Sequence, residues 1–203
     1  LVQSSDADDR EEAARVLGRV GGRSLAAELF PLLTDPHPSV RDAALRAARE
    51  VADPVLLPVL CELLSYASTF RAARAALEAM PRGSVRALSE RALDSGRPPA
   101  VRAALAQALS SVGGPDAAAP LFVLTGTGEP TPLRLAAARA LRELSLREGR
   151  LPDSLDVEGR VQDLLATLEL LNRAARECAA GRPAVSALLV DHARIHEERG
   201  DRG

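Results

Sequence analysis

The sequence predicts an all-α solenoid of about five helical hairpins, followed by a C-terminal helical cap. Three observations carry this. The stretch PSVRDAALRAA (38–48) returns sixty-one residues later as PAVRAALAQAL (99–109). The same unit recurs along the first 146 residues, marked by Arg10, Arg41, Arg71, Arg102 and Arg134 at intervals of 31, 30, 31 and 32. Within each unit the apolar residues fall three and four apart, the period of an amphipathic helix, with no strand-like alternation. A fixed period near thirty residues is the signature of stacked helical repeats.

The first helix of each unit follows from that register. Counting from Val40, apolar positions are Ala43/Ala44, Ala47/Ala48 and Val51; from Val101 they are Ala104/Leu105, Ala108/Leu109 and Val112. Leu133 leads to Ala136/Ala137, Ala140/Leu141 and Leu144. Phe70 leads to Ala73, Leu77 and Met80, and Asp9 to Ala13, Val16/Leu17 and Val20. Pro38, Pro99 and Pro132 suit a first helical turn, where no amide donor is needed. Second helices are expected over 21–33, 53–64, 83–93 and 114–124, each entered through a break such as Gly21-Gly22, Asp53-Pro54 or Gly113-Gly114-Pro115. The units lie near 6–34, 35–64, 65–95, 96–126 and 127–146.

Beyond Leu144 the period stops. A loop is expected over 147–156, then a long helix whose apolar seam is Val157, Val161, Leu164, Leu168, Leu171, Ala175 and Cys178, and, after Gly181-Arg182-Pro183, a last helix ending in a frayed tail. Seam residues four and three apart repeat as heptads. They are expected to cap the open end of the array, or to form a seam that docks another helix. Residues 147–203 thus form a second region.

Composition narrows the chemistry. The 203 residues carry a net charge of −2, which gives no overall basic field for nucleic acid or a membrane surface. All 26 basic residues are arginine, so no P-loop lysine or lysine Schiff base can operate. Aromatic residues make up 2%, leaving leucine, valine and alanine to fill the core. Cys61 and Cys178 are each embedded in a helical pattern, which favours two reduced thiols over one long-range disulfide. No apolar run is long enough to span a bilayer. The first residue is Leu, not Met, so the chain is expected to be a piece of a longer one.

The stretch LLTDPHPSVRDAALRAAREVADPVLLPVLCELL resembles a HEAT repeat of the short bacterial, PBS-lyase-like type, and DREEAARVLGRVGG (9–22) matches the pattern equally well. The resemblance covers residues 6–145. It implies a right-handed α-solenoid with the first helices on a convex wall and the second on a concave one. The family's turn aspartate is present at Asp35 but replaced at Ser65 and Gly96, and the third unit is the most divergent. The tail LREGRLPDSLDVEGRVQDLLATLELL is similar to the soluble HEAT extension of ADP/ATP-translocase-like transporters in some bacteria. That likeness implies a cytoplasmic segment tethered to a membrane protein.

Candidate site residues fall into four groups. The arginine ladder (Arg10, Arg41, Arg71, Arg102 and Arg134) is expected to tie units together by binding carboxylates and carbonyls of neighbouring turns. The competing reading is a stripe for an anionic partner. A concave binding surface is expected at Glu28, Glu62, Arg86 and Glu90. A helix-docking seam is expected at Val157, Val161, Leu164, Leu168 and Leu171. His192 and His196, four apart on a helix, have a spacing that can hold a metal, but Ala193 stands where HExxH has its glutamate. A solvated helix is therefore preferred there, and no metal, cofactor or catalytic residue is assigned. The loop TGTGEPTP (125–132) lacks a lysine and follows a helix instead of a strand, so a flexible inter-repeat loop is expected there in preference to a phosphate loop.

The expected function is a non-catalytic scaffold that binds an unidentified protein or a neighbouring domain through its concave face. One alternative is a regulatory cytoplasmic domain of a larger, transporter-like protein. Enzyme and nucleic-acid-binding readings are disfavoured. Deoxyhypusine hydroxylases need several His-Glu pairs, and here only His196-Glu197 occurs. HEAT-like DNA glycosylases use aromatic side chains and a basic cleft, and phycobilin lyases share only the repeat.

Overall fold

A computed structural model describes residues 1–149 with Gly159, Gln162, Ala166 and Arg173, and for Arg23 and Ser24 the backbone alone. Two compact units are present, residues 1–155 and 156–203. In the second, the four described residues are helical. The seam positions Val157, Val161, Leu164, Leu168 and Leu171, together with Cys178, His192 and His196, lie outside the described residues.

The first unit contains helices and no strand among the described residues. They are α1 (Ala7–Val20), α2 (Arg23–Ala26), α3 (Leu29–Leu33), α4 (Pro38–Val51), α5 (Leu57–Leu63), α6 (Phe70–Glu78), α7 (Val85–Leu93), α8 (Pro99–Val112), α9 (Ala118–Leu124) and α10 (Thr131–Glu148). Single 3-10 turns (Pro54–Leu56, Arg82–Ser84 and Pro115–Ala117) lead into α5, α7 and α9.

Local chemistry sets the boundaries. The Asp6 side chain accepts the Asp8 N–H at 3.0 Å and caps α1, while Asp8 and Asp9 complement its positive end. Asp53 accepts the Val55 N–H at 2.9 Å and opens the second half of its unit. The chain reverses after α1 and α8 through Gly21-Gly22 and Gly113-Gly114, all with positive φ. In the second repeat Ala52 makes the same reversal at φ +48°, where its Cβ costs about 1 kcal/mol.

The span 21–33 is two short helices, not the single helix expected. Pro31 has no N–H to donate to the Ala27 carbonyl, so the ladder breaks, and Phe30 N–H closes a tighter turn to Ala27 at 3.1 Å. At the other end, α10 runs to Glu148, into the segment expected as loop, and stops at Gly149.

The helices form two layers. In the first, α1 packs on α4, α4 on α6, α6 on α8, and α8 on α10. In the second, α3, α5, α7 and α9 each pack against the first helix of the following unit. No hairpin buries both of its apolar stripes alone, so neighbours complete the core. Leu60, Leu88 and Leu121 from the second layer and Leu77, Leu105 and Leu141 from the first are fully buried. Alanines at 44, 48, 73, 108 and 137 are equally inaccessible, and their small side chains allow axes about 8 Å apart. The approach is close at Gly18, where a Cβ would lie 3.0 Å from the Ala47 Cα. Glycine there lets α1 and α4 touch backbone to backbone.

Candidate interaction surfaces

The five arginines of the ladder sit in the first turns of α1, α4, α6, α8 and α10, successive helices of one layer. Arg10 grips both oxygens of Asp35, Nε at 2.7 Å and Nη2 at 3.1 Å, and donates to the Ser4 and Ser5 carbonyls. Arg41 donates to the Asp35 and Pro36 carbonyls at 2.6 and 2.9 Å. Asp35 thus holds the first repeat through its carboxylate and the second repeat through its main chain. Arg102, only 3% exposed, donates to both Glu129 oxygens at 2.7 and 2.6 Å and to the Ala92 carbonyl at 2.8 Å. Arg134 Nε donates to the Thr125 carbonyl at 3.2 Å. Arg71 is exposed and takes part in no hydrogen bond or ion pair among the described residues.

Glu129 escaped the sequence reading, although a signal exists. Glu129-Pro130-Thr131-Pro132-Leu133-Arg134 parallels Asp35-Pro36-His37-Pro38-Ser39-Val40-Arg41 with one residue fewer, and the missing residue shifts the acid off its expected register. The Arg10 guanidinium holds the Asp35 carboxyl below its ordinary range against the opposing effect of burial, and the His37 N–H adds to it. Arg102 does the same for Glu129. A carboxyl whose folded pKa is depressed stabilises the fold above its unfolded pKa, about 4, and loses that contribution as pH falls through the folded value. The urea midpoint is therefore expected to fall with pH below about 5, and less steeply in an Asp35→Asn/Glu129→Gln variant. Equal slopes for the two proteins would refute the assignment.

The opposite ends of these helices carry a second polar tie without repeat symmetry. Glu148 accepts from Arg82 at 2.9 Å and from the Gly114 N–H at 3.0 Å, while Arg147 donates to the Ser110 and Ser111 carbonyls, each at 2.7 Å. These contacts span 34 to 66 residues, and nothing in the sequence pattern announces them.

Glu28, Glu62, Arg86 and Glu90 all belong to the second layer and are exposed. The last three stand in two columns set by the buried leucines. Two residues before Leu29, Leu60, Leu88 and Leu121 come Ala27, Pro58, Arg86 and Ala119; two residues after come Pro31, Glu62, Glu90 and Val123, every one exposed. Charge is concentrated on α5 and α7, and small or apolar side chains flank it on α3 and α9. Arg86 Nε donates to Glu90 at 3.1 Å, and Glu62 lies 3.6 Å from Arg97. Glu28 precedes α3 beside these columns.

Other chemistry-bearing residues are absorbed by the fold. Cys61 is a free thiol, fully buried on α5, and burial pushes its pKa up to about 11, so it stays protonated at neutral pH. His37 stands at the N-cap of α4, with Nδ1 3.0 Å from the Ser39 hydroxyl. Among the described residues no group of three or more His, Cys, Asp or Glu could hold a metal, and no helix is long and apolar enough to cross a membrane.

Residues 1–81 match the family model for HEAT repeats. No curated protein matches the chain. HEAT repeats are generally non-catalytic protein-interaction scaffolds. Residues 1–81 are thus HEAT repeats, and helices stack in the same manner through α10.

Proposed function

We propose that the chain is a non-catalytic scaffold that binds a protein partner through its second-layer face. The observation that supports this most is the pair of exposed columns on α3, α5, α7 and α9, in which Glu62, Arg86 and Glu90 form a charged centre between small and apolar flanks. Those side chains stand on a rigid base of fully buried leucines, so a partner meets a preformed surface and loses little entropy in ordering it. Glu28 extends the acidic part of this face toward α3.

Photo-crosslinking tests the reading. A crosslinking amino acid placed at Glu62 or Glu90 is expected to trap the same protein in lysate, and one at Arg46 or Arg139, exposed on the first layer, is not. A Glu62→Lys/Arg86→Glu/Glu90→Lys variant is expected to lose that adduct with its melting temperature unchanged. Equal trapping from both layers would contradict it.

A further inference from the structure

The ladder divides in a way that points to a second surface. Arg10 and Arg102 each grip a carboxylate supplied by the following turn, Asp35 and Glu129. The turns that follow Arg41 and Arg71 supply none to them. After Arg41 comes 64–69, where Tyr66 is 62% exposed and Thr69 spends its hydroxyl on the Leu63 carbonyl at 2.7 Å. After Arg71 comes 94–98, where the Asp94 carboxylate is engaged within its own turn, accepting the Gly96 N–H at 3.0 Å and pairing with Arg97 at 3.4 Å. Glu62, the other acid of this region, also pairs with Arg97. Neither α4 nor α6 has an acidic residue in its first turn, and Asp42 lies about 100° round α4 from Arg41.

We propose that Arg41, Arg71 and Tyr66 form a docking site for an extended acidic peptide segment of a partner, whose carboxylates sit beside Arg41 and Arg71 as Asp35 and Glu129 sit beside Arg10 and Arg102. The spacing suits such a ligand. Adjacent helices of the layer lie ~8–10 Å apart, and an extended chain in the polyproline II conformation has three residues per turn and rises ~3.1 Å per residue, so carboxylates at i and i+3 share one face about 9 Å apart. Each guanidinium can take a carboxylate through two parallel N–H donors, and the field of two helix N-termini favours the anion. Tyr66 adds an exposed aromatic body at low entropic cost, and tyrosine and arginine are residue types that anchor partners. This edge uses other side chains than the second-layer face, so its failure leaves that reading standing.

The test is fluorescence anisotropy with the full chain at low salt. The probe is a labelled, capped glycine–serine peptide bearing two glutamates three residues apart. The intact protein is expected to bind it, and Arg71→Gln to weaken binding about fivefold. Because Arg71 bonds to no described residue, that variant is expected to melt at the same temperature. Gly96→Asp, which places a carboxylate in the register of Asp35, is expected to weaken binding as well. A glutamine-for-glutamate peptide is expected not to bind. The proposal is overturned by no binding to the intact protein, by equal affinity for Arg71→Gln, by binding of the glutamine peptide, or by tighter binding of a single-stranded oligonucleotide.

Discussion

Arg102→Ala is expected to destabilise the protein by about 3 kcal/mol. The side chain is 3% exposed and makes three hydrogen bonds, to the Ala92 carbonyl at 2.8 Å and to the two Glu129 oxygens at 2.7 and 2.6 Å. Removing it leaves a half-buried carboxylate and the Ala92 carbonyl near the end of α7 without their donor, so the loss exceeds that of an exposed ion pair. Over a unit of this size the melting temperature should fall by roughly 6–12 °C. Lysine would restore the charge but not the planar fork, so Arg102→Lys should recover only part of the loss. Arg71→Ala is the internal control: the same residue type in the same register, expected to change stability by less than about 0.5 kcal/mol. Thermal melts of the three variants check the set, and equal losses for Arg102→Ala and Arg71→Ala would show that the ladder has no graded structural role.

Leu105→Ala is expected to cost about 3 kcal/mol as well, by a different mechanism. Leu105 is fully buried on α8, which is covered by α6, α7 and α10. Three neighbouring helices pin the site from different directions, so it cannot collapse, and the lost methyl groups leave a cavity. Leu146→Ala on α10, where the side chain is 73% exposed, should be nearly neutral. Urea unfolding of both variants measures the difference. Arg102 and Leu105 lie on adjacent turns of α8, so a double variant should depart from additivity.

The repeat was readable because the physical demand behind it repeats. Every first helix needs small residues against its neighbours, and the Ala43/Ala44 and Ala47/Ala48 spacing states that demand directly. What stayed hidden depends on single residues or single distances. Pro31 splits one helix into α2 and α3 without disturbing the apolar period that suggested a continuous one. The extension of α10 to Glu148 is a local matter of Gly149 taking the left-handed cap, five residues beyond Leu144, the last apolar beat.

The surfaces were legible as register but not as chemistry. The five arginines are evenly spaced in sequence, yet their surroundings differ: Arg102 is enclosed, Arg10 and Arg41 share Asp35, and Arg71 faces solvent. Spacing alone cannot rank them, because the difference comes from the following turn, an aspartate at 35, a tyrosine at 66 and a glutamate at 129 displaced by one residue. The strap of Arg82, Glu148 and Gly114 has no counterpart in other units, so no comparison between units could bring it forward. The charged columns of the second layer were traceable from Glu62, Arg86 and Glu90, whereas their apolar flanks became visible only once Leu29, Leu60, Leu88 and Leu121 fixed a common reference.

Amide hydrogen exchange across the full chain tests the stacking of helical pairs most directly. Slow exchange is expected to recur in α4, α6 and α8, each enclosed by a first-layer helix on both sides, with faster exchange in α1 and in the turns at 21–22, 65–69, 94–98 and 125–130. Protection that does not recur at intervals of about thirty residues, or that is strongest in those turns, would contradict that stacking.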